Sequence, residues 1–439
     1  MMTPQGTKPA FILLGGFGVV CRNPLYLTEL RKRGYRILLA TPESWRDDVA
    51  KVHQEPGHPA ADIDEVAFVK GALGLDGSFT SGVVGQALKW SERYDIVGVY
   101  AVGEIMVEPT GIVADALNLR SPGLRATRVC RSKYLQRWYL KAWSPRSTVI
   151  APEARSDYTT QDADFPCVVK PSGRHSSSGV ETAEDAEALA NVLGSYPSYE
   201  TVLVEQKIDG QEFSVESLVQ DGDIVFASVT RKETTSSHAQ TFVELSHSVP
   251  TAPHPAERDM LKANAEVLQK LGFADGIAHS EWRVDATGRP FLMEIAARTP
   301  GDGLLVLYEL STGQPLESQI TRIALGEPAS YPRPSRFARQ VYLEHRPGRL
   351  NDVSVSWPGV EPVWVGASGL WPKVGSGPVG DGPTLRAVFV LANKGAAVGP
   401  LRSSDDRVVT FFIDAATVAE LDALEEAVRS SITLDIDAQ

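Results

Sequence analysis

Short apolar runs alternate with amphipathic segments along the first hundred residues. Residues 10–14 are an apolar run that stops at Gly15-Gly16-Phe17-Gly18; an amphipathic segment covers 23–33, and a second apolar run covers 35–40. Strand, glycine turn, helix and strand in that order predict the start of a doubly wound parallel sheet. The turn lacks the full Gly-x-Gly-x-x-Gly spacing and no acid closes the second strand, so it reads as a tight turn rather than a dinucleotide site. A strand over 66–69, a helix over 82–93 and a buried strand over 96–102 follow. Glu104 stands just past the carboxyl end of that last strand, where open α/β sheets bind ligands.

The middle of the chain is richer in polar positions. A helix is predicted over 126–143, with Lys133 and Arg137 one turn apart on one face. Residues 165–170 form a strand ending in Lys170, and alternation puts Val168 on the face of Lys170. A loop of small residues runs from Ser172 to Val180, and a helix is expected over 182–193. Residues 201–215 read as a strand, a tight Asp209-Gly210 turn and a second strand, and 224–229 continue that sheet. An irregular stretch over 230–252 holds Lys232, His238, Glu244 and His247. An amphipathic helix over 255–271 leads into a hairpin over 276–298, whose strands are closed by Glu281 and Glu294 and joined by a turn at 285–289. A helix over 314–325 ends this part.

Pro332 and Pro334 mark a change of texture. Beyond them, short β runs at 339–343, 353–357, 363–365, 387–391 and 408–413 are punctuated by Gly and Pro, and a helix over 416–429 precedes a last run at 432–436. Three domains are therefore expected, over 1–115, 116–330 and 331–439, with a smaller unit at about 147–205 inside the second.

Composition narrows the function classes. A chain of 439 residues with 43% hydrophobic and 22% charged positions is that of an ordinary globular protein with ample core. The net charge of −12 argues against a nucleic-acid surface but leaves room for a local phosphate pocket. The three cysteines, Cys21, Cys130 and Cys167, are far apart and odd in number, which suits reduced thiols rather than a disulfide framework. The apolar run over 11–20 is too short and too rich in glycine to span a membrane and has no basic leader, so no membrane association and a cytoplasmic location are expected.

The chemistry lies in five elements taken in order. They are the basic helix, the strand-end Lys170, the Ser/Gly loop, the segment Glu205-Gln206-Lys207-Ile208 and the hairpin with Glu281, Glu294 and Arg298. Two acids and an arginine converging at strand ends suit a divalent metal that carries phosphate. Alone, each element has an ordinary structural reading. In this order and spacing they resemble the ATP-grasp superfamily of carboxylate–amine ligases.

The resemblance covers roughly residues 95–330 and implies the rest. The fold is expected to be mixed α/β and α+β: an N-terminal doubly wound domain ahead of an ATP-grasp fold, whose two α+β subdomains grip ATP, and a β-rich α+β domain at the C-terminal end. Lys133 and Lys170 match the lysines that contact ATP phosphates. Ser176-Ser177-Ser178-Gly179-Val180 match the flap over those phosphates, with Ser177 at its serine. Glu205, Gln206, Lys207 and Ile208 match the hinge, where the Gln206 carbonyl and the Ile208 N–H read adenine. Glu212 matches the ribose acid, and Leu292, on the face of Glu294 by alternation, forms the apolar adenine slot with Val168. Glu281 and Glu294 match the ligands of one or two Mg²⁺ ions, with Mn²⁺ as a substitute. Arg298 matches the arginine that steadies the transferring phosphate.

The stretch from Phe242 to Pro250 and the β-rich C-terminal part are similar to the L-amino acid ligase branch, which makes dipeptides. This implies Glu104, Glu244, His247, Arg298, Gly301 and Asp302 as a substrate pocket, with Arg298, Lys170 and Ser177 in the chemistry. An amino acid or related carboxylic acid and an amine are the implied substrates, and a homodimer is one assembly open to the chain. A ligase for a non-standard acid in secondary metabolism and a silent ATP-binding sensor are the alternatives. Three departures stand out: Ser132 in place of an Asp before the lysine, Ser176 in place of the flap glycine, and Ala296 in place of an Asn metal ligand.

Overall fold

The computed structural model describes residues 8–52, 55–72, 75, 77–158, 163–174, 178–239, 241–377 and 380–437. The chain opens with β1 (Lys8–Gly15), a short α1 (Phe17–Arg22), α2 (Pro24–Lys32), β2 (Arg36–Pro42), α3 (Arg46–Val52), β3 (Glu65–Val69), α4 (Thr80–Ser91), β4 (Tyr94–Val102) and α5 (Val107–Ala116). The strands form a parallel sheet in the order β3-β2-β1-β4. Alternate residues of β1 enter different cores. Phe11 and Leu13 pack in the cluster that holds α2, whereas Ala10, Ile12 and Leu14 pack in the one that holds α4. Covering both faces is what a doubly wound sheet requires.

The expected long helix over 126–143 is two helices, α6 (Leu124–Cys130) and α7 (Lys133–Tyr139). The break falls where the Ser132 hydroxyl leaves the helix and accepts from the Leu135 N–H at 3.4 Å, restarting the helix as its N-cap. A small antiparallel sheet follows, built from β5 (Ser147–Ile150), β6 (Cys167–Pro171), β7 (Glu181–Ala183), α8 (Ala186–Ser195) and β8 (Val202–Gln206) in strand order β5-β8-β6-β7. The helix expected from 182 begins only at Ala186, because 181–183 pair with Val169, Val168 and Cys167, and Asp185 caps the helix start.

From β9 onward one nine-stranded sheet runs through the molecule. It holds β9 (Gln211–Gln220), β10 (Asp223–Thr234), β11 (Glu244–Val249), β12 (Gly276–Val284) and β13 (Pro290–Ala296), with α9 (Glu257–Leu271) between β11 and β12. In sequence, the helices α10 (Leu304–Thr312) and α11 (Leu316–Ala324) come before β14 (Phe337–Leu343), β15 (Gly348–Val355), β16 (Pro362–Trp364), β17 (Thr384–Val390), β18 (Ala397–Val398), β19 (Val409–Ala415), α12 (Val418–Ser431) and β20 (Ile432–Asp437). The order β13-β12-β9-β10-β11-β14-β19-β17-β16 carries the sheet across residue 330, while β18-β15-β20 form a separate ribbon.

Two expectations are corrected here. The strands on either side of Asp209-Gly210 are not a hairpin: β8 belongs to the small sheet and β9 to the large one. Residues 207–210 cross between sheets, and Gly210, at φ 146°, passes so close to β12 that a Cβ would lie 1.9 Å from the Val284 carbonyl oxygen. The stretch over 230–252 is not irregular throughout, since β10 extends to Thr234 and Glu244–Val249 is a paired strand. Among the described residues no helix is long and apolar enough to cross a membrane.

Candidate active site

The register of the large sheet gathers acids and cations on one face. Glu281 of β12 is the direct cross-strand partner of Glu294 of β13. On its other flank β12 pairs with β9, which sets Arg283 beside Glu212 and His279 beside Glu216. β10 sets Lys232 beside Glu212, and β11 sets His247 beside Lys232. Lys232 Nζ lies 2.7 Å from Glu281, 3.2 Å from Glu212 and 3.5 Å from Glu244. Arg283 donates to Glu212 at 2.8 Å, and His279 spans Glu216 at 2.8 Å and Glu281 at 3.3 Å. Alternating signs at this spacing keep buried carboxylates charged. Burial opposes ionisation of Glu281, yet Lys232 and His279 hold its carboxyl well below the usual range.

A second group faces this row from α7 and the small sheet. Lys133 Nζ donates to the Arg174 carbonyl at 2.7 Å and reaches Glu294 at 3.2 Å, which ties the start of the Ser/Gly loop to β13. Arg137 and Lys170 hold Glu205 between them, with Lys170 Nζ 2.6 Å from one carboxylate oxygen and Arg137 Nη2 3.1 Å from it. Burial and the neighbouring Arg137 bring Lys170 down to about 8 against the pull of Glu205. Burial works against charge on Glu205 too, but Arg137 and Lys170 outweigh it and bring its carboxyl to about 2.

That depression is a stability statement with a sign. The unfolded carboxyl titrates near 4.5 and the folded one at about 2. The stabilisation is therefore complete above pH 4.5 and is lost as the pH falls through the folded value. A shift of this size corresponds to about 3 kcal/mol. The penalty for Glu205→Gln, measured by urea unfolding, should shrink by roughly 2 kcal/mol between pH 6 and pH 3. A penalty independent of pH would remove the triad from the stability of the fold.

Both groups open onto one cleft of about 940 Å³. At its far side Glu104 accepts from Arg298 and, at 2.7 Å, from Arg131. Burial disfavours the Glu104 charge, but the two arginines bring its carboxyl to about 2. Asp302, at φ 54° in the left-handed region, takes His247 at 2.8 Å and Arg407 at 2.6 Å. The Ser404 hydroxyl donates to Glu244 at 2.5 Å.

The cleft brings together nearly all of the residues expected from the sequence. Glu104, Lys133, Val168, Lys170, Ser178, Val180, Glu205, Gln206, Lys207, Ile208, Glu212, Glu244, His247, Glu281, Glu294, Arg298, Gly301 and Asp302 all line it. Ser176 and Ser177 lie outside the described residues. Gly179 is behind the wall, where its carbonyl accepts from the Tyr196 hydroxyl at 2.5 Å. Leu292 is a correction. It is fully buried in the core under the sheet, and Met293 takes its place on the cleft. The cause is a bulge: Glu281 pairs with Glu294, but the next pair is Trp282 with Leu292, so Met293 is the unpaired extra residue.

Several cleft residues escaped the sequence reading. Lys232, named from the sequence only as polar chemistry of an irregular stretch, stands on β10, where residues 230–234 alternate between buried and exposed. Arg407 follows no motif and reaches Asp302 across 105 residues of sequence.

Residues 163–305 match the family model described as an ATP-grasp domain. The chain carries an ATP-grasp domain. It is 29% identical over 148 residues to D-alanine–D-alanine ligase of Hydrogenovibrio crunogenus, covering 32% of this chain and 46% of that one. The chain spans about half the length of the curated relatives it matches. In fold it resembles the L-amino acid ligase from Bacillus licheniformis, with a TM-score of 0.74 at 19% identity over 99% of this chain and all of that one. It also resembles the biotin carboxylase domain of Hydrogenobacter thermophilus 2-oxoglutarate carboxylase, solved with MgADP, ADP and bicarbonate (TM-score 0.62, 13% identity, 97% of this chain and 90% of that one). The mixed α/β and α+β architecture is thus that of the ATP-grasp fold.

Among the described residues, no group of three or more His, Cys, Asp or Glu is gathered as a metal cage. Glu281 and Glu294 offer a pair instead. Two carboxylates suit Mg²⁺ when phosphate oxygens complete its shell, so the donor set fits an ion held jointly with a nucleotide. Ala296, two residues beyond Glu294, contributes no oxygen from its side chain.

Proposed function

We propose that the protein is an ATP-dependent ligase that joins the carboxylate of an amino acid or related acid to an amine, forming a dipeptide or amide and releasing ADP and phosphate. The observation that carries the reading is the meeting of the Glu281–Glu294 pair with Lys133, Lys170 and Arg298 on one cleft. The likeness to two kinds of ligase named for amino acids supports it.

The residues divide the work by position. Val168, Ile208 and Met293 enclose the base, and the backbone at Gln206 and Ile208 reads its edge. Glu212 takes the ribose hydroxyls, sharing its second oxygen with Arg283. Lys133 and Lys170 neutralise the phosphate chain, with Ser177 and Ser178 of the Ser/Gly loop as further donors to its oxygens. Glu281 and Glu294 would hold Mg²⁺, which would supply further neutralisation of phosphate charge. Glu244 and His247 face the incoming amine, with Glu104 and Asp302 orienting the cations around it. A substrate carboxylate oxygen attacks the γ-phosphorus and the bond to the bridging oxygen breaks, releasing ADP. The amine nitrogen then attacks the acyl carbon, phosphate leaves with its electron pair, and the amine sheds a proton. Arg298 stabilises the negative charge that builds in both steps.

Phosphate release with ATP, Mg²⁺ and pools of the twenty amino acids tests this. Release that depends on amino acid and scales with dipeptide formation is expected. Release with a non-proteinogenic acid alone would move the substrate class, and ATP binding without turnover on any acid would replace the ligase by an ATP sensor.

A further inference from the structure

The cleft extends past the residues used above, into a lobe between the N-terminal sheet and the C-terminal strands. Trp45, Arg22 and Trp371 line it. Trp45 lies over α1, where a Cβ at Gly16 would stand 3.2 Å from the indole nitrogen and one at Gly18 would stand 2.8 Å from the ring. Arg22 follows Gly18 by one helical turn and so projects from the same face. Its Nε–H donates to the Gly369 carbonyl at 2.8 Å, and its guanidinium lies 5.9 Å from the centre of the Trp371 ring. Val365, Leu391 and Val398 add apolar wall.

The polar atoms of this lobe are unevenly committed. Asp302 is held by Arg407 and His247, and Asp406 accepts backbone N–H groups of Arg402 and Ser403. Asp405 is exposed at the rim. Arg22 forms no ion pair, and neither indole N–H has a hydrogen-bond partner, among the described residues. Arg22 is exposed on the cleft it lines together with Trp45 and Trp371, and a guanidinium without a carboxylate partner beside an indole is a site for an anion attached to a flat or apolar body.

We infer that this lobe binds the side chain of one substrate, and that this side chain is an apolar or aromatic group ending in a carboxylate or similar anion that pairs with Arg22. This rests on the ligase reading, which leaves the substrate side chain open. The indoles would select the body and Arg22 the terminal charge, while the reacting group stays near Arg298.

The test compares 4-carboxy-L-phenylalanine, L-phenylalanine and 4-amino-L-phenylalanine as substrates for the wild type, Arg22→Met, Arg22→Lys and Trp371→Ala. The wild type should show kcat/KM at least about tenfold higher for the carboxy than for the phenyl compound, the size expected of one charge-assisted pair. Arg22→Met should bring that ratio close to one and Arg22→Lys should keep most of it. Trp371→Ala should weaken both compounds alike. An unchanged ratio in Arg22→Met, or a wild-type preference for the amino compound, would overturn the assignment. The same three compounds are also titrated calorimetrically in the presence of MgADP. An Arg22-dependent binding preference without turnover would uphold the lobe and sink the ligase. Turnover of amino acid pools without any Arg22-dependent preference, or no preference in binding, would do the reverse for the lobe.

Discussion

Glu294→Gln is expected to lower ATP-dependent phosphate release by 10²–10³-fold or more, the order found when one charge-stabilising group is removed from a transferring centre. The amide keeps the size of the side chain and still offers an oxygen to Lys133, which lies 3.2 Å from Glu294 in the wild type. Folding should therefore survive, with a melting temperature close to that of the wild type. The negative charge goes, and with it one of the two carboxylates that Glu281 and Glu294 present side by side across β12 and β13. Mg²⁺ shared with phosphate tolerates few protein ligands, so losing half of them weakens both metal and nucleotide placement. Two measurements separate the causes: coupled ADP release at saturating ATP and amino acid, and Mn²⁺ binding followed by electron paramagnetic resonance. Near-wild-type turnover would take Glu294 out of the metal site.

The hairpin that carries this prediction was legible because its two strands are short apolar runs on either side of an Asp-Ala-Thr-Gly-Arg turn. Asp285 closes that turn by accepting the N–H groups of Thr287 and Arg289. Local patterning fixes such elements. The bulge at Met293 was not legible, since alternation assumes one residue per partner and the extra residue shows only in the pairing. β11 was hidden for a different reason. Its sequence Glu-Leu-Ser-His-Ser-Val is too polar to look like a strand, but it sits inside the sheet with β10 and β14 on either side, so ladder hydrogen bonds hold it. α10 was missed because its apolar residues surround it on all sides and leave no helical period to read. The acids and lysines proposed for the nucleotide come in short motifs, and the structure brings those it describes onto one cleft. Arg22 and Gly369 meet across 347 residues, and Arg407 and Asp302 across 105, distances at which a single sequence gives no local signal.

Arg298→Lys is the second substitution expected to have a large effect, a fall in kcat of about 10² or more with ATP affinity within roughly threefold of the wild type. The reasoning is a count of donors. A guanidinium carries five N–H groups in a fixed fork. In Arg298 the Nε–H goes to Glu104 and one Nη1–H goes to the Thr299 carbonyl at 2.7 Å. Among the described residues the remaining three have no partner, so they can meet an oxyanion without breaking either anchor. A lysine ammonium has its three N–H groups on one atom and cannot hold Glu104 and a transferring phosphoryl group at once. Glu104 would win in the ground state, because it is half-buried, held low by two arginines and already shared with Arg131. The loss should thus fall on the step in which charge builds up, not on nucleotide binding, whose proposed base and ribose contacts come from Val168, Gln206, Ile208 and Glu212 rather than from Arg298. Single-turnover measurements of ADP formation alongside an ATP binding titration decide it. A kcat within threefold of the wild type, or a loss confined to ATP affinity, would mean that Arg298 holds Glu104 in place and does nothing for the reacting phosphate.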